Sequence, residues 1–427
     1  MAGRNGCRSV GPEIEEILSV LEKGLDLEAL FGRRVLVLLP DGTRSGPVGR
    51  IFHGLCRLLS GKAGALDFLV ALGTHRPMEP RALAAHLELP PERLGEPYPG
   101  VRVFQHRWDR PDTFAKIGVL PSGEVEELSR GMLSLEVPVE VNRAALEADH
   151  ILVVGPVFPH EVVGFSGGTK YLFPGIGGWE FIGFTHWLGA LITAREVIGR
   201  RETPVREAID KAARMLGRPL WCAAMVVEGE DLVGLYAGEM QEAWERAVEH
   251  SARVNVEYLE KPVKRVLSVL PPMYDELWTG AKGMYKVEPV VEKGGEVIIY
   301  APAVKEISFV HGDDIRRIGY HVRDYFLSRW EEFKGEPWGV LAHSTHLRGC
   351  GTYEDGREEP DVKVTLATGI PEVDCRAVGL DYLDPGEVDL EAWRDAAEED
   401  ESLLFVPRAG ERLFLLEGDD RAGWGRA

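Results

Sequence analysis

Short runs rich in Val, Ile and Leu alternate along the chain with stretches of helical periodicity. The runs are apolar on both faces, as is typical of strands in a parallel sheet that is covered on both sides. Residues 12–25 instead repeat apolar side chains at helical spacing, as at Ile14 and Ile17. This alternation predicts an α/β fold with mostly parallel sheets. The predicted strands are residues 34–40, 68–72, 101–104, 151–157, 266–270, 297–300, 339–342 and 364–367.

The length of the chain predicts two domains. Hydrophobic cores stop growing at about 250–300 residues, and this chain has 427. A charged stretch around Pro262, residues 260–264, separates a helical pattern from a new strand and is the predicted boundary. The predicted parts are residues 1–262, residues 263–411 and a tail, 412–427, that either returns to the N-terminal domain or frays.

Charge and cysteine content narrow the class of protein. The formal net charge is −20, so the outer field repels nucleic acid and anionic membranes, and a site for a carboxylate must supply its own Arg or Lys. Five scattered cysteines without C-x-x-C spacing argue against a disulfide framework or a structural zinc site. The N-terminus lacks an apolar leader and no segment is long enough to cross a bilayer, so a cytoplasmic protein is expected.

The densest motif, residues 159–178, directly follows the predicted strand 151–157. The carboxyl ends of parallel strands are where α/β folds bind ligands. A phosphate-binding P-loop is excluded, because Thr169 precedes Lys170 and Tyr171 follows it. The glycines of the motif let backbone N–H groups approach an anion closely. The alternative is a tight turn with a solvated lysine.

His186 lies in a predicted apolar helix, residues 179–198. A single histidine on such a helix is more often a packed core residue than a ligand. Neutral imidazole is, however, a common ligand for nickel, copper and zinc. The pattern alone leaves both roles open.

Two further motifs, residues 41–44 and 73–76, each follow a predicted strand. Loops at such strand ends converge in an open α/β sheet, which predicts a crevice shared with His160. Arg44 can bind a carboxylate through two parallel hydrogen bonds. Each motif alone is also explained by a simple turn, since Asp-Gly is a frequent turn pair.

The second half of the chain carries weaker signals. Trp278, Thr279 and Lys282 follow the predicted strand 266–270, and Trp338 precedes the predicted strand 339–342. Two histidines at metal-compatible spacing follow that strand, but without a third ligand their expected role is a turn or strand-end pair hydrogen-bonded to backbone. Two others are expected at the surface or as caps. These pairs are His343 with His346, and His106 with His311.

Together these motifs resemble those of the lactate racemase family, whose members use a nickel-pincer nucleotide. The resemblance covers most of the chain and implies a two-domain α/β fold with its active site in the cleft between the domains. It rests on Asp41-x-Thr43-Arg44, Gly73-Thr74-His75-Arg76, Pro159-His160, Gly164-Phe165-Ser166-Gly167-Gly168-x-Lys170, Pro174-Gly175-Ile176 and His186.

The resemblance also implies a cofactor site in the N-terminal domain. A lysine at the position of Lys170 attaches the cofactor through a thioamide bond, and a histidine at the position of His186 binds the nickel ion. The pincer supplies the other nickel ligands, so no three-histidine motif is needed. Separate biosynthetic proteins must supply the cofactor. The residues expected to contact it, besides Lys170, are Asp41, Thr43, Gly167 and Gly168; Asp41 is also a candidate to orient Arg44.

The implied activity is racemisation or epimerisation of a 2-hydroxy carboxylic acid. The hydrogen at C2 is weakly acidic, so its removal as hydride, which gives a planar 2-keto acid, is expected instead of proton abstraction. His75 and His160 would transfer the hydroxyl proton on the two sides of the substrate. Arg44 and Lys282 would bind the carboxylate, and Trp338 would form a wall. The residues expected to contact the substrate are Arg44, Lys282, Thr279, Trp278 and Trp338.

The chain departs from lactate racemases near the substrate side chain, where Thr279 replaces a glutamine and Trp278 a tyrosine. The substrate is therefore open between lactate and a longer, aromatic, hydroxylated or dicarboxylic 2-hydroxy acid. Two other functions compete with racemisation. One is a metal-dependent hydrolase or lyase that uses the histidines around zinc or another divalent ion. The other is a non-catalytic carrier or sensor of an organic acid.

Overall fold

The structure is a computed structural model that describes residues 14–229, 231–419 and 421. Two β-sheets, both mostly parallel and flanked by helices, confirm the predicted α/β class. No helix in these residues is both long and apolar enough to cross a bilayer. Cys56, Cys222, Cys350 and Cys375 are free thiols, whereas Cys7 and the predicted helical residues 12 and 13 lie outside the described residues.

The first sheet has six strands and reverses its strand order at one position. Its order across the sheet is Asp231–Glu239, Leu220–Glu228, His150–Pro156, Arg34–Leu39, Ala65–Val70 and Val101–Gln105. All neighbours are parallel except the pair formed by the first two strands in this order. The order reverses between Arg34–Leu39 and His150–Pro156, and ligands bind in α/β sheets in the crevice at such a point.

The second sheet has five strands, all parallel. Its order is Asp381–Tyr382, Val362–Thr368, Val291–Ala301, Val263–Val269 and Leu403–Val406. Four two-stranded ribbons complete the β structure. They pair Phe114–Leu120 with Val137–Asn142, Pro159–His160 with Gly164–Phe165, Gly351–Glu354 with Arg357–Pro360, and Val256–Leu259 with Leu413–Leu416.

Helices of at most 16 residues cover both sheets. The α-helices are Ile14–Gly24, Leu27–Leu30, Val48–Leu59, Pro80–His86, Ser122–Leu128, Arg143–Glu147, Trp179–Ile192, Ala194–Val197, Pro204–Arg214, Met240–Asn255, Leu277–Gly280, Lys282–Tyr285, Gly312–Ile318, Arg323–Ser328, Trp330–Phe333, Trp338–Arg348, Glu372–Ala377 and Leu390–Glu399. Short 3₁₀ turns lie at Pro91–Arg93, Pro111–Thr113, Gly168–Tyr171, Glu288–Val290 and Pro385–Glu387.

The hydrophobic core is continuous between the two halves of the chain. The central strands Arg34–Leu39 and His150–Pro156 are buried almost throughout, as expected for parallel strands covered on both faces. Their inward residues belong to one cluster with those of the second sheet, including Val153 and Val266. The strand Leu413–Leu416 in the predicted tail pairs with Val256–Leu259, before the predicted boundary. The division into two domains at residues 260–264 stays a prediction.

The prediction of a strand at residues 339–342 is wrong. These residues begin the helix Trp338–Arg348, which is buried from Val340 to Leu347 and packs against the helix Trp179–Ile192. A short apolar run does not distinguish a buried strand from a buried helix. The flanking residues are the better indication of a helix, because Pro337 precedes it and Gly349, with φ of +83°, follows it.

Three other predictions need correction. The helix predicted for residues 179–198 ends at Ile192, because Thr193 has φ of +84° and caps a new short helix. His106 is fully buried beside Asn142 instead of lying at the surface. His343 and His346 lie within the helix Trp338–Arg348 and not at the end of a strand.

Gly164 is required where the ribbon carrying His160 turns back. Its φ is +86°, and a Cβ there would lie 1.9 Å from the carbonyl oxygen of Arg200. We expect Gly164→Ala to lower the free energy of unfolding by about 3 kcal/mol or more, combining the left-handed backbone cost with a steric clash. Gly100→Ala is the matched control, because its φ is +72° and nothing lies within 4 Å. Equal losses in chemical denaturation would show that the carbonyl contact is unimportant.

Candidate active site

The loops after the strands at the reversal of the first sheet meet around one cavity of about 100 Å³. The loop after Ala65–Val70 is joined to the glycine motif, since Gly73 N–H donates to Gly175 O at 2.9 Å. Trp278 closes the cavity from the second half of the chain. The predicted site residues that line this cavity are Asp41, Arg44, His75, Gly167, Lys170, His186 and Trp278.

Asp41 holds His75 in one orientation. The His75 Nδ1–H donates to Asp41 Oδ2 at 2.6 Å, and the other carboxylate oxygen accepts from the Thr43 N–H and hydroxyl. Burial alone would raise the pKa of Asp41, but the charge and hydrogen bond of His75, with Arg44 and Thr43, hold it well below its ordinary value. This pairing leaves His75 Nε2 as the nitrogen with a free lone pair, which suits a proton acceptor.

Arg44 is positioned by the same loop. Its Nη1 donates to Thr43 Oγ1 at 3.4 Å, so Thr43 links Asp41 to Arg44. Burial opposes the charge of Arg44, but Asp41, together with Tyr171, Tyr274 and Glu161, outweighs it and raises the guanidinium pKa. Arg44 is therefore a fixed positive charge in the cavity wall, which an anionic ligand needs in a chain of net charge −20.

The glycines of the motif 164–168 are dictated by close packing. Gly167 and Gly168 have positive φ, and Cβ atoms there would lie 2.7 Å from Val157 and 2.9 Å from the Trp244 ring. Trp244 Nε1 also donates to Ser166 O at 2.8 Å. A side chain at either glycine would displace the backbone that leads into Lys170.

A buried arginine that the sequence interpretation missed ties this loop down. Arg206 donates to the backbone carbonyls of Phe165 and Gly167 and to Thr169 Oγ1, and its guanidinium lies 4.2 Å from the centre of the Trp244 ring. Burial lowers its pKa to about 10, which still leaves it charged at neutral pH. Arg206 therefore binds the tight loop at two backbone carbonyls and one hydroxyl.

The pKa of Lys170 lies close to neutral pH. Burial, followed by the charge of Arg44, lowers its pKa to about 7, and Arg206 adds to the effect. The favourable charges of Glu161 and Asp41 are too weak to reverse this. A large fraction of Lys170 is therefore a free amine at neutral pH, which is the nucleophilic form of a lysine.

His186 is oriented by its own helix. Its Nδ1–H donates to Ile182 O, one turn back, at 2.7 Å. Burial lowers its pKa, with Lys170 contributing, so the ring is neutral. The unprotonated nitrogen is then Nε2, and a backbone bond to the other nitrogen is how proteins fix a histidine ligand.

His160 lies outside the lining of this cavity but within its electrostatic field. Burial, then Lys170 and Arg44, lower its pKa well below the ordinary value. The contact of Nδ1 with a Glu161 oxygen at 3.2 Å is therefore not an ion pair. His160 Nδ1 instead accepts from Val162 N–H at 3.1 Å, which places the proton on Nε2. His160 and His75 thus take opposite tautomers.

Two lysines from the second half face the same loops. Burial, then Arg44, lower the pKa of Lys282 to about 7, and its Nζ lies 5.0 Å from the centre of the Tyr274 ring. Lys286, which sequence interpretation missed, donates to Pro159 O and to Glu411 O. Burial lowers its pKa to about 8 although Glu161 opposes the shift. Glu161 was also missed, and its charge acts on all three buried lysines of the site.

Trp278 separates the central cavity from two neighbours. One, of about 370 Å³, also contains Trp338 and His186 in its lining. The other, of about 200 Å³, contains Thr43, His75 and Thr279. The Thr279 hydroxyl is used locally, since it donates to Glu276 O at 3.2 Å. Trp338 and Thr279 therefore lie on different sides of Trp278.

The described residues contain no group of three or more His, Cys, Asp or Glu side chains arranged to hold one metal ion. Catalytic zinc sites usually have three protein ligands. A site that takes a single ligand, His186, from the protein is not affected by this criterion.

The fold and site together define a class: an α/β protein whose crevice, at a reversal of strand order, holds a free-base lysine, an oriented histidine and an arginine. The family described as lactate racemase N-terminal domain matches residues 6–199. The lactate racemase of Lactiplantibacillus plantarum is 25% identical over 276 residues, 63% of this chain and 60% of that protein. That of Thermoanaerobacterium thermosaccharolyticum is 26% identical over 247 residues, 56% of this chain and 52% of that protein.

Two solved structures share the fold over nearly the whole chain. A crystal structure of a Thermotoga maritima protein has a TM-score of 0.85 and 34% identity, covering 95% of this chain and 98% of that one. The lactate racemase apoprotein of T. thermosaccharolyticum has a TM-score of 0.71 at 20% identity, covering 94% and 93%. The N-terminal part of the chain, residues 6–199, therefore belongs to the lactate racemase family. The chain's matched segment spans about 60% or less of the two named racemases.

The lowered pKa of Lys170 predicts a pH-dependent stability. The unfolded lysine keeps its proton up to about pH 10.5, whereas the folded one loses it near pH 7. The folded state is thus penalised fully below pH 7, and the penalty disappears as pH rises to about 10.5. Lys170→Met should raise the free energy of unfolding of the cofactor-free protein at pH 6–7 by on the order of 2–4 kcal/mol, at about 1.36 kcal/mol per pKa unit.

Chemical denaturation at pH 6, 7, 8 and 9.5 measures this effect. The gain should shrink steadily across the series. Lys116→Met, at an exposed strand position, is the control and should change little at any pH. A gain for Lys170→Met that does not vary with pH would contradict a buried free amine.

Proposed function

We propose that the protein is a racemase or epimerase of a 2-hydroxy carboxylic acid, with a nickel-pincer nucleotide attached to Lys170. The single observation that carries this proposal is that Lys170 and His186 line one cavity together with Arg44 and His75. Kinship with lactate racemases supports the reaction class. Loading of the cofactor would need separate biosynthetic proteins in the same compartment, which we take to be the cytoplasm.

The residues present suit such a group. An amide or thioamide link to lysine needs the unprotonated amine, and the lowered pKa of Lys170 supplies it. A nickel ion held mainly by the pincer needs one nitrogen from the protein, and the bond from His186 Nδ1 to Ile182 O leaves Nε2 for that role. Gly167 beside Lys170 keeps the approach to the amine free of side chains.

Arg44 is the residue we assign to the substrate carboxylate. It lines the cavity beside His75, and its planar guanidinium matches a carboxylate through two hydrogen bonds. Lys282 acts from the second half as an additional donor. Because its pKa is lowered to about 7, only part of Lys282 is protonated at neutral pH. We therefore expect Lys282 to take up a proton when an anionic substrate binds.

The two histidines divide the proton transfers. His75 presents an unprotonated Nε2 backed by the Asp41 carboxylate, so it accepts the hydroxyl proton as a general base. His160 is neutral with its single proton on Nε2, so at rest it donates a hydrogen bond there and has to take up a second proton before it can act as the proton donor. Inversion needs one group that accepts and one that donates on opposite sides of the substrate. The transfer balances when His75 starts neutral and His160 starts protonated, and the two histidines end with these states exchanged, ready for the reverse direction.

The bound cofactor would supply an acceptor that takes the C2 hydrogen as hydride and later returns it to either face of the planar 2-keto acid. The protein has to hold that keto acid until the hydrogen returns. Arg44 keeps its carboxylate in place, and Trp278 covers the cavity from the second half of the chain. Exclusion of water by this cover protects the intermediate.

Isotope retention tests the reaction. Loaded protein should convert a C2-deuterated 2-hydroxy acid in ordinary water into an inverted product that keeps most of its deuterium, because hydride does not exchange with solvent. His75→Gln and His160→Gln should each lower kcat by about 10²–10⁴-fold, as expected for a lost acid or base. Chiral chromatography with mass spectrometry measures both. Rapid loss of deuterium to water would refute hydride transfer.

Intact mass and nickel content test the cofactor separately. Protein produced together with the cofactor-making enzymes should carry one covalent adduct, which Lys170→Ala abolishes. His186→Ala should retain the adduct and lose most of the nickel, because it removes the ligand and not the anchor. Lys282→Ala is the control with an equally low lysine pKa and should keep both. An adduct on Lys282, or stoichiometric zinc on an unmodified chain, would contradict the proposal.

A further inference from the structure

The cavity of about 370 Å³ next to the site has a wall in common with it. Thr74, Ile182, His186 and Trp278 line both spaces. The two cavities therefore adjoin along these four residues, and for a substrate larger than the central cavity holds, the larger one is the space next to His186. None of the proton-transfer or carboxylate-binding roles described above uses that space.

The inner lining of this cavity is apolar. Three tryptophan rings stand in its wall, and aliphatic and proline side chains fill the gaps between them. Its members are Leu135, Val137, Pro138, Trp179, Ile182, Phe184, Trp278, Pro337, Trp338 and Val340. Such a surface binds apolar and aromatic groups through burial and ring contacts.

Two of the tryptophans, Trp278 and Trp338, make specific contacts with their surroundings. Trp278 lies between two imidazoles, stacked on His343 at 4.1 Å and tilted against His311 at 4.4 Å between ring centres. Burial lowers the pKa of these histidines to about 3 and about 4, so both are neutral rings. The Trp338 indole donates to Lys334 O at 3.1 Å. A preformed aromatic wall loses little conformational freedom when a ligand enters.

The charge and the apolar surface of the cavity argue against two of the open substrate classes, the dicarboxylic and the hydroxylated 2-hydroxy acids. Its charged lining residues are the exposed carboxylates of Glu136 and Glu180, and neither Lys nor Arg is among the residues that line it. A second substrate carboxylate, or the phosphate of a nucleotide, would be repelled there. A chain of hydroxyl groups would lose water without gaining enough partners on this surface.

The size of the cavity excludes a methyl group as its natural occupant. An apolar cavity of about 150 Å³ already holds a benzene molecule, and this one is more than twice as large. Gly183 and Gly339 create part of the space, since the built Cβ of Gly183 meets only Trp338 at 3.6 Å and that of Gly339 meets nothing within 4 Å. The lactate methyl group would leave most of the volume unfilled.

We infer that the natural substrate is a 2-hydroxy acid with a large, neutral, apolar side chain, and that an aromatic ring fits this cavity best. The inference rests on the proposed function and adds the substrate class. The 3-aryl-2-hydroxypropanoates are its simplest members. Lactate, hydroxylated acids and dicarboxylic 2-hydroxy acids are the poorer substrates.

Kinetics of the loaded protein test the substrate class. The kcat/KM for racemisation of 3-phenyllactate should exceed that for lactate and that for malate by at least about tenfold, since even one methylene group in an apolar pocket is worth roughly tenfold or more. A higher kcat/KM for lactate or malate would overturn the inference and leave the proposed function intact. Failure to invert any 2-hydroxy acid would overturn the proposed function itself.

A cavity-filling variant tests the location. Gly183→Leu should place its side chain in the cavity and reduce the ratio of kcat/KM for 3-phenyllactate to that for lactate by at least about tenfold. Gly339→Leu, from the facing helix, should act in the same direction. Gly123→Leu, an exposed helical glycine with open space around it, is the matched control and should leave the ratio unchanged. An unchanged ratio in folded Gly183→Leu and Gly339→Leu would refute the location.

Binding to the cofactor-free protein gives a readout that does not depend on catalysis. 3-Phenyllactate should change the tryptophan fluorescence, because three tryptophans line the cavity, and its Kd should be at least about tenfold lower than that of lactate. Gly183→Leu should remove this difference. Equal affinities for the two acids in the unsubstituted protein would overturn the inference, whereas a preference without turnover in loaded protein would count against the proposed function alone.

Discussion

The concentration of positive charge in a space with little water is the constraint on which this structure depends. Arg44, Lys170, Lys282 and Lys286 act on one another across the crevice, with Asp41 and Glu161 as the principal opposing charges. Keeping all of these cations charged there would cost free energy. The pKa values of the lysines are therefore lowered towards neutral pH, whereas Arg44 stays charged. The same balance that leaves Lys170 reactive leaves Arg44 as the permanent anchor for an anion.

This constraint explains the architecture beneath the site. The tight glycine loop before Lys170 has buried carbonyl groups. Arg206 donates hydrogen bonds to two of them, at Phe165 and Gly167, and its guanidinium packs against the Trp244 ring. Asp41 performs the equivalent task on the other loop by holding His75 and Thr43. The loop before Lys170 and the side chain of His75 thus each have a buried polar partner, Arg206 and Asp41, as a preorganised site requires.

The sequence predicted the α/β class and the convergence of three loops, because both follow from the direction of parallel strands. It did not predict Lys286, Glu161 or Arg206 as parts of the site. Lys286 and Arg206 lie outside the glycine-rich motifs, and only the fold brings them near His160 and Lys170. The error at residues 339–342 has a different origin, since a fully buried helix and a buried strand present the same short apolar run. The wall formed by Trp278, His311 and His343 was likewise invisible, because its members come from three separate segments.

The pairing of Val256–Leu259 with Leu413–Leu416 has a mechanical consequence. The chain leaves the first half after one of these strands and returns through the other, so two hydrogen-bonded tethers, side by side, connect the second sheet to the first. Sliding or twisting of the halves would strain both tethers at once. The pairing therefore fixes the register of the second half of the chain against the first, and with it the place of Trp278 at the cavity.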